Sequence, residues 1–276
     1  MADMDASGID MQVLQLSGER FDRFDRDTEA ATVRESNDFL AGVIHEHPDR
    51  FAGFAQLNLG DPEGAAAELE RCVTELGLVG GMWCGKSKGH YLDHPSFRPV
   101  WAMAEKLDVP VYLHPGYPSQ EEADALYKDL PESVVGTLAR AGWGWHVDTG
   151  LHSLRLVLSG LFDRYPKLHF IIGHMGEGIP FFLARANTFL TPLAKHLNRS
   201  IEEYYLSNFY ITTSGFFSIP TFLCASMVFG VDRVIFSVDY PFSTNEEGRK
   251  FLDAIPLSHE DLQKISYKNA ERLLKL

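Results

Sequence analysis

The chain has 276 residues, 45% hydrophobic and 23% charged, a composition that can bury a large core and excludes a disordered or fibrous protein. A formal net charge of -13 leaves no basic stripe for phosphate backbones or anionic lipid, which excludes nucleic acid and membrane surfaces as partners and leaves a small molecule. Cys72, Cys84 and Cys224 are far apart, odd in number and show no CxxC pairing, as expected of a reducing compartment rather than a disulfide framework.

The acidic opening "MADMDASGID" has neither the basic nor the apolar block of a secretory signal, and no apolar run reaches the roughly 18 residues of a bilayer span. A cytoplasmic protein is expected. From there, short β-branched or aromatic runs alternate with longer stretches of helical spacing. "MQVLQL" (11–16) reads as a strand and "TEAATVRESNDFLAGVIHEH" as the helix behind it. "FAGFAQLNL" (51–59) precedes the helix "DPEGAAAELERCVTEL", whose Asp-Pro start suits a capped first turn. "LVGGMWC" (78–84) leads to "HPSFRPVWAMAEKL", and "VPVYLH" (109–114) follows. "GWGWHVDT" reads as an aromatic loop ahead of the helix "TGLHSLRLVLSGLFDRYP". "LHFIIGH" (168–174), "NFYITTS" (208–214) and "RVIFSVD" (233–239) are the last strands, and "SHEDLQKISYKNAERLLKL" is the closing helix.

This alternation predicts parallel strands with helices packed outside them. No GxGxxG or GxxxxGK[ST] follows an early strand, which disfavours a doubly wound nucleotide-binding sheet and favours one (β/α)8 barrel domain over residues 1–276. Seven strands are found where a closed barrel has eight. In such a barrel reactive groups sit where strands end, and three strands end on a metal-ligand type: His114 in "VYLHPG", His174 in "IIGHMGEG" and Asp239 in "IFSVDYP". One histidine at a strand end is more often a structural hydrogen-bonding group. Three donors on one rim, each beside glycine or proline, favour a site for Zn²⁺, Mn²⁺ or Fe²⁺. Among the other histidines, His45 and His47 read as solvated at a helix end. His90 and His94 lie in a loop on the active rim and are the better candidates for extra ligands, although His94 before Pro95 also reads as a helix start. His146, His152, His169 and His196 fall in helical patterns or at a strand start and receive no role.

"VPVYLHPG", "LSGLFDRYPKLHFIIGHMGEGIPFFLAR", "NFYITTSGFF", "DRVIFSVDYPF" and "NAERLLKL" together resemble the amidohydrolase-2 branch of the amidohydrolase superfamily, particularly its metal-dependent nonoxidative decarboxylases of hydroxylated benzoates. The resemblance implies a TIM-type barrel, a divalent ion (Zn or Mn) and a hydroxylated aromatic acid as substrate. It implies His114 and Asp239 as metal ligands, and His174 at or beside the metal. Glu177 would orient His174, Asp239 would donate the proton, and Phe242 would form an aromatic wall. Arg185 matches an arginine that in some members reaches into a neighbouring subunit's pocket. A strand carrying a Glu-x-His or His-x-His pair is implied ahead of the counterpart of "MADMDASGID", so the expected barrel lacks its first strand. Its open edges, and Arg185, favour a homo-oligomer, a dimer or tetramer. The expected activity is a carbon-carbon lyase, with a metal-dependent lactone or amide hydrolase and an inactive barrel as alternatives.

Overall fold

Side chains alternate faces along a strand, and here that alternation sorts the residues into two layers. The computed structural model describes residues 1–16 and 24–276. Its strands are β1 (Gln12–Leu14), β2 (Phe51–Gly53), β3 (Ala55–Gln56), β4 (Gly81–Cys84), β5 (Val111–His114), β6 (Phe170–Ile172), β7 (Phe209–Thr212) and β8 (Val234–Ile235). β1 pairs with β2, β3 to β8 follow one another in chain order, and every pairing is parallel. β2 and β3 are two halves of one extended run: the Phe54 N–H donates to the Leu14 carbonyl and the Ala55 N–H to the Gly80 carbonyl, so the run hands over from β1 to β4. The strands expected from the sequence are all present in the expected order, and with their intervening helices they form an α/β sheet of the TIM-barrel type.

Val111, Leu113, Phe170, Ile172, Phe209 and Ile211 face the helices and are fully buried against residues such as Trp101, Phe162 and Tyr205. The intervening residues Met82, Ile171, Tyr210 and Ile235 form a second, smaller cluster with Phe54 and Leu274 on the inner side. Continuing the same alternation brings Cys84, His114 and Thr212 to the inner side at the C-terminal ends of β4, β5 and β7. Register places Cys84 directly beside His114.

The helices start where their sequences say they should. Asp25 caps Arg26–Glu46, and the pairs Ser200/Glu203 and Thr244/Glu247 close capping boxes on Ile201–Asn208 and Asn245–Ala254. One start differs from expectation. The helix expected from Thr149 begins at Gly144, taking in most of the aromatic stretch read as a loop. Glycine and aromatic residues have weak helix propensity, and Trp143 offers no side-chain cap, so local signals hide this turn. Packing imposes it: a β-carbon on Gly144 would lie 2.4 Å from the Ala139 carbonyl oxygen.

β1 and β8 each end a run of paired strands, and the segments near them are linked by side chains, with Gln12 donating to Asn245 at 3.1 Å and the Tyr240 hydroxyl to Asp3 at 3.0 Å. The interior forms a cavity of about 1610 Å³, lined from floor to rim by Leu274, Phe54, Tyr112, His114, His174 and Asp239. Among the described residues no helix is long and apolar enough to cross a membrane.

Just past the C-terminal ends of β4 and β5 the backbones of two loops touch. A β-carbon on Gly85 would lie 2.6 Å from the Gly116 Cα, and Gly85 has a φ of 67°. Gly77 has a similar φ of 73° but open space around it. Gly85→Ala therefore combines conformational strain with a backbone clash and should destabilise the protein by about 2–4 kcal/mol, against about 1 kcal/mol for Gly77→Ala, in urea unfolding. Equal losses for the two variants would refute the contact.

Candidate metal centre and active site

β5 delivers His114, and its Nδ1 donates to the Pro115 carbonyl at 2.9 Å. That bond leaves Nε2 as the nitrogen with a free lone pair. His174 follows β6 differently. From His174 to Gly178 five consecutive residues have positive φ: 47°, 56°, 80°, 53° and 77°. Only two of the five are glycine, and each of the others costs roughly 1–2 kcal/mol in this left-handed region. The turn closes with the Gly176 N–H on the Gly173 carbonyl at 2.7 Å. A β-carbon at Gly176 would press on Ile211 and Pro180 at 3.1 Å. The turn brings residues three apart to the same side, and His174 Nδ1 donates to Glu177 Oε1 at 2.6 Å. Asp239 also has positive φ, 68°, and its carbonyl accepts the N–H groups of Phe242 and Ser243.

These three strand ends converge. His174 Nε2 lies 3.9 Å from Asp239 Oδ2, and one ligand atom from each of His114, His174 and Asp239 falls within 4.8 Å of the others. Each imidazole is oriented by an acceptor at Nδ1 and presents Nε2 inward beside a carboxylate. This donor set fits a divalent cation such as Zn²⁺ or Mn²⁺.

Glu177 is only 3% exposed, and it has a second partner that the sequence reading missed. His146, assigned no role above, donates from Nδ1 to Glu177 Oε2 at 2.6 Å. It lines the same cavity because its helix starts five residues early, at Gly144, and turns its first residues toward the rim. The signal available in the sequence was the four-residue spacing to Gly150, where a β-carbon would lie 2.8 Å from the Glu177 carbonyl oxygen and where the helix presses onto the turn.

The groups shift one another's charge states. Burial, reinforced by the nearby His174, holds His114 below the usual imidazole range, so it is ready to act as a neutral ligand. Burial opposes charge on His174 as well, but the adjacent Glu177 carboxylate and Asp239 outweigh it, and the pKa is raised. Burial would push Glu177 up, yet His174 and the hydrogen bond from His146 more than reverse this and keep it ionised.

The walls are aromatic. The Trp145 ring stands edge-on to His114 at 6.3 Å, and the Phe216 ring lies 5.8 Å from His174. Phe242 sits at the mouth, 82% exposed. Beneath the ligands the Tyr112 hydroxyl meets Thr212 at 2.9 Å and Ser214 at 3.2 Å, and burial pushes the phenol up to about 12, so it stays protonated. Lys86, which carried no sequence signal, also lines the cavity; it pairs with Glu122 and lies 3.5 Å from Asp148.

Arg185 is exposed on the helix Ile179–Leu190, with its guanidinium over the Phe189 ring at 4.1 Å, and does not line this chain's own cavity. His90 and His94 stack at 4.3 Å in the loop after β4, outside the cluster of His114, His174 and Asp239. His94 caps the turn Pro95–Phe97 by accepting from the Ser96 N–H, the structural role its sequence also suggested. His152 is buried, accepts the Leu92 N–H at 2.8 Å, and is pushed down to about 3 by burial.

A metal ion held at His174 Nε2 would compete there with a proton. Because the His174 pKa is raised, its proton is held to higher pH than on a free imidazole; below that value metal affinity should fall about tenfold per pH unit. His114, already neutral there, adds no second proton until lower pH. Calorimetric Mn²⁺ titrations from about pH 5 to 8 should show this slope, and Glu177→Gln should move its onset to lower pH. Affinity independent of pH across that window would contradict the assignment.

Over residues 1–276 the sequence matches the profile of the Amidohydrolase family, Amidohydro_2. Decarboxylase orsB of Emericella nidulans is 41% identical over 255 residues, covering 90% of this chain and 77% of that protein. Gamma-resorcylate decarboxylase of Polaromonas sp. is 39% identical over 284 residues, covering 99% of this chain and 85% of that protein. The crystal structure of a dihydroxybenzoic acid decarboxylase from Polaromonas sp., with bound manganese and the inhibitor 2-nitroresorcinol, superimposes with a TM-score of 0.91 at 37% identity, covering 99% of this chain and 84% of that one. The chain belongs to the amidohydrolase family.

Proposed function

We propose that this protein is a divalent-metal-dependent nonoxidative decarboxylase of a hydroxylated aromatic acid. The observation that carries the reading is a two-histidine, one-carboxylate donor set at the rim of an aromatic-walled cavity, in a chain whose relatives named above are decarboxylases. His114, His174 and Asp239 would hold the ion. When bound, the ion supplies charge neutralisation and orientation for the acid's carboxylate and its adjacent phenolic oxygen.

The residues supply the rest. Trp145, Phe216 and Phe242 offer flat apolar surface to the ring. Asp239 delivers its proton to the ring carbon bearing the carboxylate. The new C–H bond draws its electron pair from the ring; the C–C bond then breaks, its pair restores aromaticity, and carbon dioxide leaves. Solvent returns a proton to Asp239. Glu177 fixes His174 so that Nε2 keeps facing the reacting region.

Purified protein supplied with Mn²⁺ should release carbon dioxide from at least one member of a panel of dihydroxybenzoates and related phenolic acids. No release across the panel, with turnover of lactones or amides instead, would replace this reading with hydrolysis. Asp239→Asn should lower kcat by about 10²–10⁴-fold per bound metal, which simultaneous metal analysis separates from loss of the ion.

The reading includes a homo-oligomer in a reducing cytoplasm. Cys72 and Cys224 stand as free thiols, which supports the compartment. Support for assembly comes from large exposed apolar side chains on two packed helices: Phe181 (78% exposed) and Leu193 (78%) on and just beyond Ile179–Leu190, and Met227 (84%) on Ile219–Phe229. Arg185 lies on the same helix as Phe181 and outside this chain's own cavity, which supports a role toward a neighbouring copy. Light scattering should report a dimer or larger, and Phe181→Asp with Leu193→Asp should dissociate it; a wild-type monomer at micromolar concentration would overturn this part.

A further inference from the structure

The Glu177 side chain is completely shielded from solvent, and each of its oxygens meets one imidazole nitrogen at 2.6 Å: His174 Nδ1 on Oε1 and His146 Nδ1 on Oε2. The other ring nitrogen of His146, Nε2, faces the Ala141 carbonyl oxygen at 3.0 Å. Its ring also packs between neighbours, with centroids 5.1 Å from His174 and 5.0 Å from Phe216. Two features of the helix Gly144–Leu158 make this reach possible. Gly150, one turn after His146 on the same face, lets the helix backbone press against the Glu177 carbonyl. Gly144 lets the first turn sit against Ala139.

We propose that His146 is a positioning residue, which locks the Glu177 carboxylate and through it fixes the tautomer and plane of His174. A carboxylate with one hydrogen-bond donor can rotate about its terminal bond and exchange oxygens; a carboxylate with a donor on each oxygen cannot do so without breaking both. With Glu177 locked, the hydrogen on His174 stays at Nδ1 and the lone pair stays at Nε2, facing Asp239. If Glu177 were free to turn, Nδ1 would lose its fixed acceptor and the ring would sample the other tautomer, presenting N–H where a lone pair is needed. The functional consequence rests on the decarboxylase reading above; the effect on the His174 ring does not.

The test replaces the ring without emptying its site. His146→Phe keeps the packing against Phe216 and removes the donor, whereas His146→Asn keeps a donor near the position of Nδ1. In metal-free protein at alkaline pH, where the His174 ring is neutral, ¹⁵N NMR of the imidazoles should show His174 as the single Nδ1–H tautomer in the wild type and in His146→Asn, and as a tautomer mixture in His146→Phe. With saturating Mn²⁺ and the best phenolic acid from the panel, His146→Phe should lose about 10–100-fold in kcat with KM within about threefold, and His146→Asn should recover most of it. The double variant His146→Phe with Glu177→Gln should be no slower than Glu177→Gln alone, because both act through one carboxylate. Three outcomes would overturn the proposal: an unchanged His174 tautomer in His146→Phe, equal losses for the phenylalanine and asparagine variants, or additive losses in the double variant. Should His146→Phe fail to fold, His146→Gln, which lacks a donor at the Nδ1 position, takes its place with the same expectations. A wild type that releases no carbon dioxide would sink the decarboxylase reading while leaving the NMR comparison to decide the role of His146.

Discussion

A parallel strand has only two faces, and in this sheet both are committed before any chemistry begins. Val111 and Leu113 must face the helices for the outer layer to close, so Tyr112 and His114 have no choice but to face inward. The same holds on β7, where Phe209 and Ile211 fix Tyr210 and Thr212. A register slip of one residue would carry His114 to the outer layer and put leucine in the cavity. The site is thus held in place by apolar packing on the far side of the sheet, and the outward residues are as necessary to it as the polar ones.

Against that stiff background the site gathers strained backbone and buried charge. His174, Met175, Glu177 and Asp239 adopt left-handed backbone, and Glu177 is a carboxylate without solvent. Each is tolerable only because something adjacent compensates. Gly176 and Gly178 relieve the turn at alternate positions, the Gly173 carbonyl closes it, and two imidazoles satisfy the carboxylate. The compensation also explains why the two cavity histidines differ. His114 has a backbone carbonyl as its partner and is made less basic by burial, whereas His174 has a full negative charge at Nδ1 and is made more basic.

Much of this was legible in the sequence, for reasons that are local. Strands such as "VPVYLH" and "LHFIIGH" announce themselves by apolar runs that stop at a polar residue, and the C-terminal ends of parallel strands share one rim whatever the loops do. That rule sets His114, His174 and Asp239 on one rim, and the turns after β6 and β8 bring them together there. What escaped lies where tertiary contact overrides local preference. "GWGWHV" has the composition of a loop, and nothing in its spacing says that Gly144 will be pressed against Ala139 and become helical. His146 was misplaced with it, since a helix that starts five residues early turns a different face to the rim. Lys86 escaped for another reason: it lies just past Gly85, at a position with no periodicity to read, and its partners Glu122 and Asp148 come from segments distant in the chain.

The contact between Gly85 and Gly116 carries a consequence for how this protein can change over generations. Most crowded pairs in a core can trade volume, one side chain shrinking as its neighbour grows. Here both partners are already at the lower limit of side-chain size, so an enlargement at either has no reciprocal reduction available. The ends of β4 and β5, and with them the placement of His114, are therefore closed to the stepwise exchange that lets other parts of the barrel drift.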